Sequence, residues 1–185
     1  MVSPVFLLSL PRSGSTLLQR ILMAHPQIAS TGEPWLLLPP VFAQREKGTL
    51  TSYGHHSLYQ SLNSFISTLP RMHDDYWAAC RLFARELYSK QCASEEIYFL
   101  DKTPRYYLIL EELRKMFPDG KYIYLFREPL SIVASMLRYH NESLFNLPFW
   151  DIDIKIGSRL LALDALANND NSCLLTYEEL VAKPA

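Results

Sequence analysis

Val5-Phe6-Leu7-Leu8-Ser9-Leu10-Pro11-Arg12-Ser13-Gly14-Ser15-Thr16-Leu17-Leu18-Gln19-Arg20-Ile21-Leu22 is the stretch around which the chain is organised. A short apolar run enters a turn of small hydroxyl residues around Gly14, and apolar residues then recur at helical spacing, at Leu17, Leu18, Ile21 and Leu22. This predicts a buried strand feeding a helix. The first N–H groups of such a helix have no intrahelical acceptor, and the macrodipole favours negative charge there. The turn therefore suits a phosphate or sulfate. Arg12 adds a full positive charge, and Ser13, Ser15 and Thr16 add hydroxyl donors.

Outward from this turn, short apolar strands alternate with helical patterns. Residues 27–30, 96–100, 121–126 and 172–177 read as further strands. Helices are expected at 55–69, 73–90, 106–117, from Pro129 to about Tyr139, and at 153–167. In the second of these, Tyr76, Trp77, Cys80, Phe83, Ala84 and Leu87 form the expected apolar face. Pro39-Pro40 breaks the pattern between 35 and 50, and Gly48 marks a turn. The alternation predicts an α/β fold of P-loop-like architecture, three layers α/β/α around a mostly parallel central sheet. A single domain is expected over residues 1–185, with a helical insertion at about 35–92.

Composition narrows the function classes. Eighteen basic residues nearly balance nineteen acidic ones, so no general basic surface for nucleic acid is expected and any anion site must be local. Cys80, Cys92 and Cys173 are widely spaced and odd in number, which argues for buried free thiols rather than a disulfide framework or zinc site. No metal ligand cluster is visible. No apolar run approaches the roughly 18 residues that span a bilayer, and the first residues lack the basic start of a secretory leader. A cytoplasmic location is the expectation.

Ligands of parallel sheets bind beyond the carboxyl ends of the strands, and the distinctive charges follow those ends: Arg12, Glu33, Lys102 and Arg127. Laid on a Walker A loop, G-x-x-x-x-G-K-[ST], the segment Ser9 to Thr16 keeps Gly14 and the terminal hydroxyl, but Ser15 stands where the lysine belongs. That departure argues against a nucleoside triphosphate. On the helix after Arg127, Ser131, Ser135 and Arg138 share one face, with Leu130, Val133, Ala134 and Leu137 on the apolar side. Arg127 and Ser135 together can grip a second oxyanion. A donor with two separated anionic groups is implied.

These residues resemble a known family. Pro11 to Leu18 is similar to the 5′-phosphosulfate loop of sulfotransferases that use 3′-phosphoadenosine 5′-phosphosulfate (PAPS). Arg127 followed eight residues later by Ser135 is similar to that family's 3′-phosphate pair. Ala24-His25-Pro26, Gly32-Glu33 and Asp101-Lys102-Thr103-Pro104 resemble the tyrosylprotein sulfotransferases and their bacterial relatives in particular. The resemblance implies Glu33 as catalytic base, with Lys102 and Arg12 stabilising the oxygens around the sulfuryl group. It implies Arg12, Ser13, Gly14, Ser15 and Thr16 at the 5′ phosphosulfate, Arg127 and Ser135 at the 3′ phosphate, and Tyr177 near the adenine. PAPS would be the co-substrate, without a metal. The acceptor would bear a hydroxyl, on a peptide tyrosine, a carbohydrate, a lipid or a small alcohol. The resemblance also implies further cofactor contacts in a C-terminal segment beyond residue 185.

Several readings stay open at this level. His140 is the alternative base. Asp101 and Lys102 also suit a solvated pair or cap at a strand end, and Tyr177 suits packing as well as ligand contact. The strand, loop and helix are shared with nucleotide and small-molecule kinases. A non-catalytic PAPS- or PAP-binding remnant, lacking the C-terminal part, would carry the same motifs.

Overall fold

The computed structural model describes residues 2–47, 52, 54–140, 151–168 and 170–182, apart from the side chain of His140. Five strands carry the architecture: β1 (Ser3–Ser9), β2 (Ile28–Ser30), β3 (Tyr98–Asp101), β4 (Lys121–Phe126) and β5 (Ser172–Thr176). They pair in the order β2-β3-β1-β4-β5, and every pairing is parallel. The mostly parallel sheet expected from the alternation is thus parallel throughout. β1 lies at its centre, with Val5 opposite both Leu100 of β3 and Lys121 of β4.

Successive side chains of a strand point to opposite faces, and β1 divides its residues accordingly. Phe6, Leu8 and Leu10 enter the larger core, whereas Val5 and Leu7 enter a smaller one on the other face. Leu18 of α1 (Ser15–Met23) packs in the smaller core. The larger core receives α2 (Leu38–Phe42), α4 (His73–Gln91) and α5 (Leu110–Met116) through Val41, Ala84 and Leu113, all fully buried. Phe6 sits at the middle of it, its ring 5.0 Å from that of Phe117 and stacked at 5.5 Å on Tyr122.

The helices agree with expectation in place more than in phase. α3 spans His55–Ile66 and α4 His73–Gln91, close to the predicted ranges. In α4 the buried stripe is Trp77, Cys80, Ala84 and Tyr88, while Phe83 and Leu87 are exposed. The chain places helical turns around residue 77 where two neighbouring apolar stripes compete, and only one can face the sheet. The prolines thought to break residues 35–50 instead lie in the first turn of α2, where a missing N–H costs no intrahelical bond. The expected turn at Gly48 lies outside the described residues. The helix expected from Tyr106 begins as a 3₁₀ segment, Pro104–Ile109, before α5. The one expected at 153–167 begins as a π segment, Ile152–Gly157, and continues as α7 (Ser158–Ala167). Of the three cysteines, Cys80 alone is buried, Cys92 is intermediate and Cys173 exposed; all are free.

α6 (Pro129–His140) starts directly after β4. Ile132 and Met136, one turn apart, are buried against the core, and Leu130 is exposed, so the apolar side expected at Leu130, Val133, Ala134 and Leu137 is corrected to this narrower stripe. Its N-terminus is closed by Glu128, whose carboxylate accepts the N–H groups of Leu130 and Ser131 at 2.9 and 2.6 Å. Those bonds favour the anion and lower the Glu128 pKa. A carboxylate depressed by folding contributes stability above its unfolded pKa and loses it as pH falls through the folded value. The thermal midpoint of Glu128→Gln should therefore lie below wild type at neutral pH, with the gap closing as pH drops below about 4. A gap independent of pH in melts from pH 3 to pH 7 would refute this cap.

Candidate functional site

Because all strands run the same way, the loops after β1, β2, β3 and β4 and the start of the helix after β5 meet along one edge of the sheet. They enclose a cleft of about 560 Å³ lined by Arg12, Gly14, Ser15, Thr16, Glu33, Trp35, Arg105, Arg127, Ser135, Asp153 and Tyr177 among others.

The turn after β1 is built by its sequence. Ser13 N–H bonds back to Leu10 C=O at 3.3 Å, with Pro11 and Arg12 between them. Proline suits the first of these positions, and a positive φ at the second is the type II pattern. Arg12 takes that conformation, φ 67°, although it is not glycine. Gly14 follows at φ 90° and precedes α1, whose first N–H groups, Ser15 and Thr16, lie ahead of the first intrahelical bond. The turn thus turns a helix N-terminus toward the cleft. Ser13 does not line this cleft: its hydroxyl is buried without a hydrogen-bond partner among the described residues, and the residue lines a smaller cavity.

The two anion motifs are physically joined. Arg127 donates from Nη1 to the carbonyl of Arg12 at 2.9 Å, and Arg12 Nε donates to Ser135 Oγ at 3.4 Å. Arg12 also lies over the ring of Tyr139 at 4.3 Å. Tyr177, the first residue of α8 (Tyr177–Ala182), packs against Gly14 on one side, with the Arg127 guanidinium 4.3 Å from its ring centroid. Neither Arg12 nor Arg127 forms an ion pair among the described residues, and the buried Arg127 Nε has no partner. Two guanidinium groups beside a helix N-terminus give the cleft a local excess of positive charge on a chain whose net charge is −1.

Glu33, which lines the cleft, pairs at 2.8 Å with Lys102, which does not. Lys102 is 4% exposed, and Glu33 lies toward solvent. The second Glu33 oxygen accepts the Trp35 indole N–H at 3.3 Å. Asp101 does not form the solvated pair with Lys102 that a strand end could have carried. It is fully buried and accepts hydroxyl bonds from Tyr88, Tyr106 and Thr103 at 2.6, 2.9 and 2.9 Å. Burial pushes its pKa up, against the pull of those three bonds and of the Lys102 charge. His140, the alternative base, closes α6, and its side chain lies outside the described residues.

Three lining residues escaped the sequence reading. Trp35 directly follows Glu33-Pro34 and Arg105 directly follows Lys102-Thr103-Pro104, so both were legible as neighbours of motif residues. Asp153 had no such signal, being one of two carboxylates in the alternating run Asp151-Ile152-Asp153-Ile154-Lys155. It is fully buried, receives Arg105 at 3.1 Å and the Tyr107 hydroxyl, and sits in the π segment. Burial, together with that bond to Asp153, raises the Tyr107 pKa. Such π turns often re-aim a side chain at functional sites.

Gly14 is doubly constrained. A Cβ there would lie 2.4 Å from Tyr177 Cδ2, and φ 90° disfavours any L side chain. Gly14→Ala should cost about 1–3 kcal/mol for the backbone alone, plus the clash. In Gly14→Ala/Tyr177→Ala the clash is gone, so urea denaturation should give a double-variant cost smaller than the sum of the singles. Simple additivity would mean that Tyr177 does not press on the turn.

A family model described as "Sulfotransferase family" matches residues 4–185. Nodulation protein NoeE of Sinorhizobium fredii (strain NGR234) is 34% identical over 153 residues, covering 80% of this chain and 34% of that protein. A putative protein-tyrosine sulfotransferase of Caenorhabditis briggsae is 27% identical over 193 residues, covering 97% of this chain and 60% of that protein. The chain thus spans between about a third and three fifths of the length of these curated relatives. Among solved structures, the sulfotransferase domain of the Synechococcus PCC 7002 olefin synthase superposes with a TM-score of 0.59 at 26% identity, covering 99% of this chain and 69% of that one. With the family match running almost from end to end over this parallel sheet and its loop-helix turn, the chain belongs to the sulfotransferase family.

Proposed function

We propose that the cleft binds PAPS and transfers its sulfuryl group to a hydroxyl acceptor, releasing PAP. The observation that carries this reading is the pair of guanidinium groups, Arg12 and Arg127, on two linked loops at the N-terminus of α1, neither in an ion pair among the described residues. The donor set fits a molecule with two anionic ends. The N–H groups of Ser15 and Thr16 and the Arg12 guanidinium would receive the 5′ phosphosulfate, and Arg127 with Ser135 the 3′ phosphate. PAPS supplies a sulfuryl group on a good leaving group. Triphosphate binding is opposed by Ser15 at the Walker lysine position.

The chain's own residues then have separable tasks. Glu33 takes the proton of the acceptor hydroxyl as its oxygen bonds to sulfur. The bond from sulfur to the 5′-phosphate oxygen breaks, and Lys102 and Arg12 offset the charge that gathers there. Lys102 is suited to this because its ammonium is buried and held on Glu33 at 2.8 Å, so little reorganisation is needed. The Glu33 carboxylate is aimed by two donors, Lys102 and Trp35, and stays open to the cleft. The acceptor is a hydroxyl compound, entering beside Glu33 and Trp35.

PAP at about 100 times its dissociation constant should raise the thermal midpoint by roughly 5–10 °C. No rise with millimolar PAP, or a larger one with ATP and magnesium, would sink the reading, the latter in favour of a kinase. Glu33→Gln should lower turnover by roughly 10²–10⁴-fold while leaving the PAP-induced rise in place. Turnover that survives this change would move the base elsewhere.

A further inference from the structure

The Asp101 cluster is buried, polar and outside the cleft, and the reaction as described does not use it. Its bonds lead to one place. Thr103 donates its hydroxyl to Asp101 Oδ1 at 2.9 Å and accepts the backbone N–H of Trp35 at 3.3 Å. Tyr106 donates to Asp101 Oδ2 at 2.9 Å and accepts the backbone N–H of Leu37 at 3.3 Å. Tyr88 of α4 donates to the same Oδ2 at 2.6 Å and stacks on Phe99 at 4.4 Å, which ties the cluster to the sheet. The loop that carries Glu33 is thus pinned at two successive points to one buried carboxylate.

Trp35 itself is held in an unusual state. Its φ is 55°, in the left-handed region that a bulky aromatic residue rarely enters. Its side chain is 42% exposed, so core packing is not what keeps it there. Backbone strain of this kind persists when surrounding bonds over-determine it. Here the bond to Thr103 fixes the Trp35 backbone, and the indole N–H then reaches Glu33 Oε2 at 3.3 Å.

We propose that Asp101, Thr103 and Trp35 form a positioning relay that fixes the Glu33 carboxylate in the cleft, with Thr103 as the link between the buried carboxylate and the strained loop. None of the three touches the reacting atoms. Asp101 orients Thr103, Thr103 holds the Trp35 backbone, and the Trp35 indole holds one carboxylate oxygen while Lys102 holds the other. The catalytic part of this inference rests on Glu33 as the base; the structural part does not.

The test uses the intact chain and two variants, Thr103→Val, which keeps the shape and removes the hydroxyl, and Thr103→Ser, which keeps the hydroxyl. The three tryptophans are followed by their indole ¹H–¹⁵N signals, the Trp35 signal being the one lost in Trp35→Phe. In Glu33→Gln the Trp35 signal marks the state without a carboxylate partner. Thr103→Val should move the Trp35 signal toward that position and leave Trp77 in place, and Thr103→Ser should restore the wild-type spectrum. In turnover assays Thr103→Val should lower kcat by about 10–100-fold with KM for PAPS unchanged, and Thr103→Ser should recover it. An unmoved Trp35 signal in Thr103→Val, a Trp77 signal that moves equally, or a kcat not recovered by serine overturns the relay. Retention of turnover in Glu33→Gln would instead remove the base assignment and leave the spectral result to judge the relay alone.

Discussion

Parallel hydrogen bonding of β1 between β3 and β4 is the constraint on which the rest depends. A strand paired in parallel on both sides sends its neighbours' carboxyl ends to the same edge; β4 ends beside the end of β1, with Leu125 opposite Ser9, and β3 ends earlier, with Asp101 opposite Phe6. Arg12 and Arg127, 115 residues apart, are neighbours for that reason. The same pairing sets the two faces: Phe6 and Leu8 need one helical cover, Val5 and Leu7 another. An antiparallel exchange of any one strand would carry its charge to the opposite edge.

Electrostatics divides the resulting cleft into two halves that behave differently. Among the described residues Arg12 and Arg127 face it without an ion-pair partner, and their loops are joined through a neutral acceptor, the Arg12 carbonyl. Guanidinium groups suit this because they remain charged and present several donors in a plane, so one can hold a backbone oxygen and still face an anion. The other half is compensated: Lys102 is matched by Glu33 and Arg105 by Asp153. The cleft thus carries guanidinium groups and matched ion pairs together.

Where the reading of residues failed, packing decided among equivalent patterns. In α4, Trp77, Cys80 and Ala84 are buried as expected, and Tyr88 joins them in place of Phe83 and Leu87, because Tyr88 gains a hydroxyl bond to Asp101 and a stacking partner in Phe99. In α6 the sheet selected Ile132 and Met136, which left Ser135 at the cleft and Leu130 in solvent. Ser13, grouped by sequence with Ser15 and Thr16, is buried on a smaller cavity and does not line the cleft. Local sequence names the donors; it does not aim them.

The sequence by itself determined the alternation of strands and helices, the Pro11-Arg12 turn leading into a glycine and a helix start, and the departure from a Walker loop at Ser15. These are local properties, legible from proline and glycine conformation and from hydrophobic period. Only the tertiary structure decided that Asp153 lines the cleft, that Asp101 is a buried hub, and that Tyr177 lies between Gly14 and Arg127. Each of those depends on contacts between residues far apart in the chain, and a period or a motif carries no information about which distant partner will fill a given space.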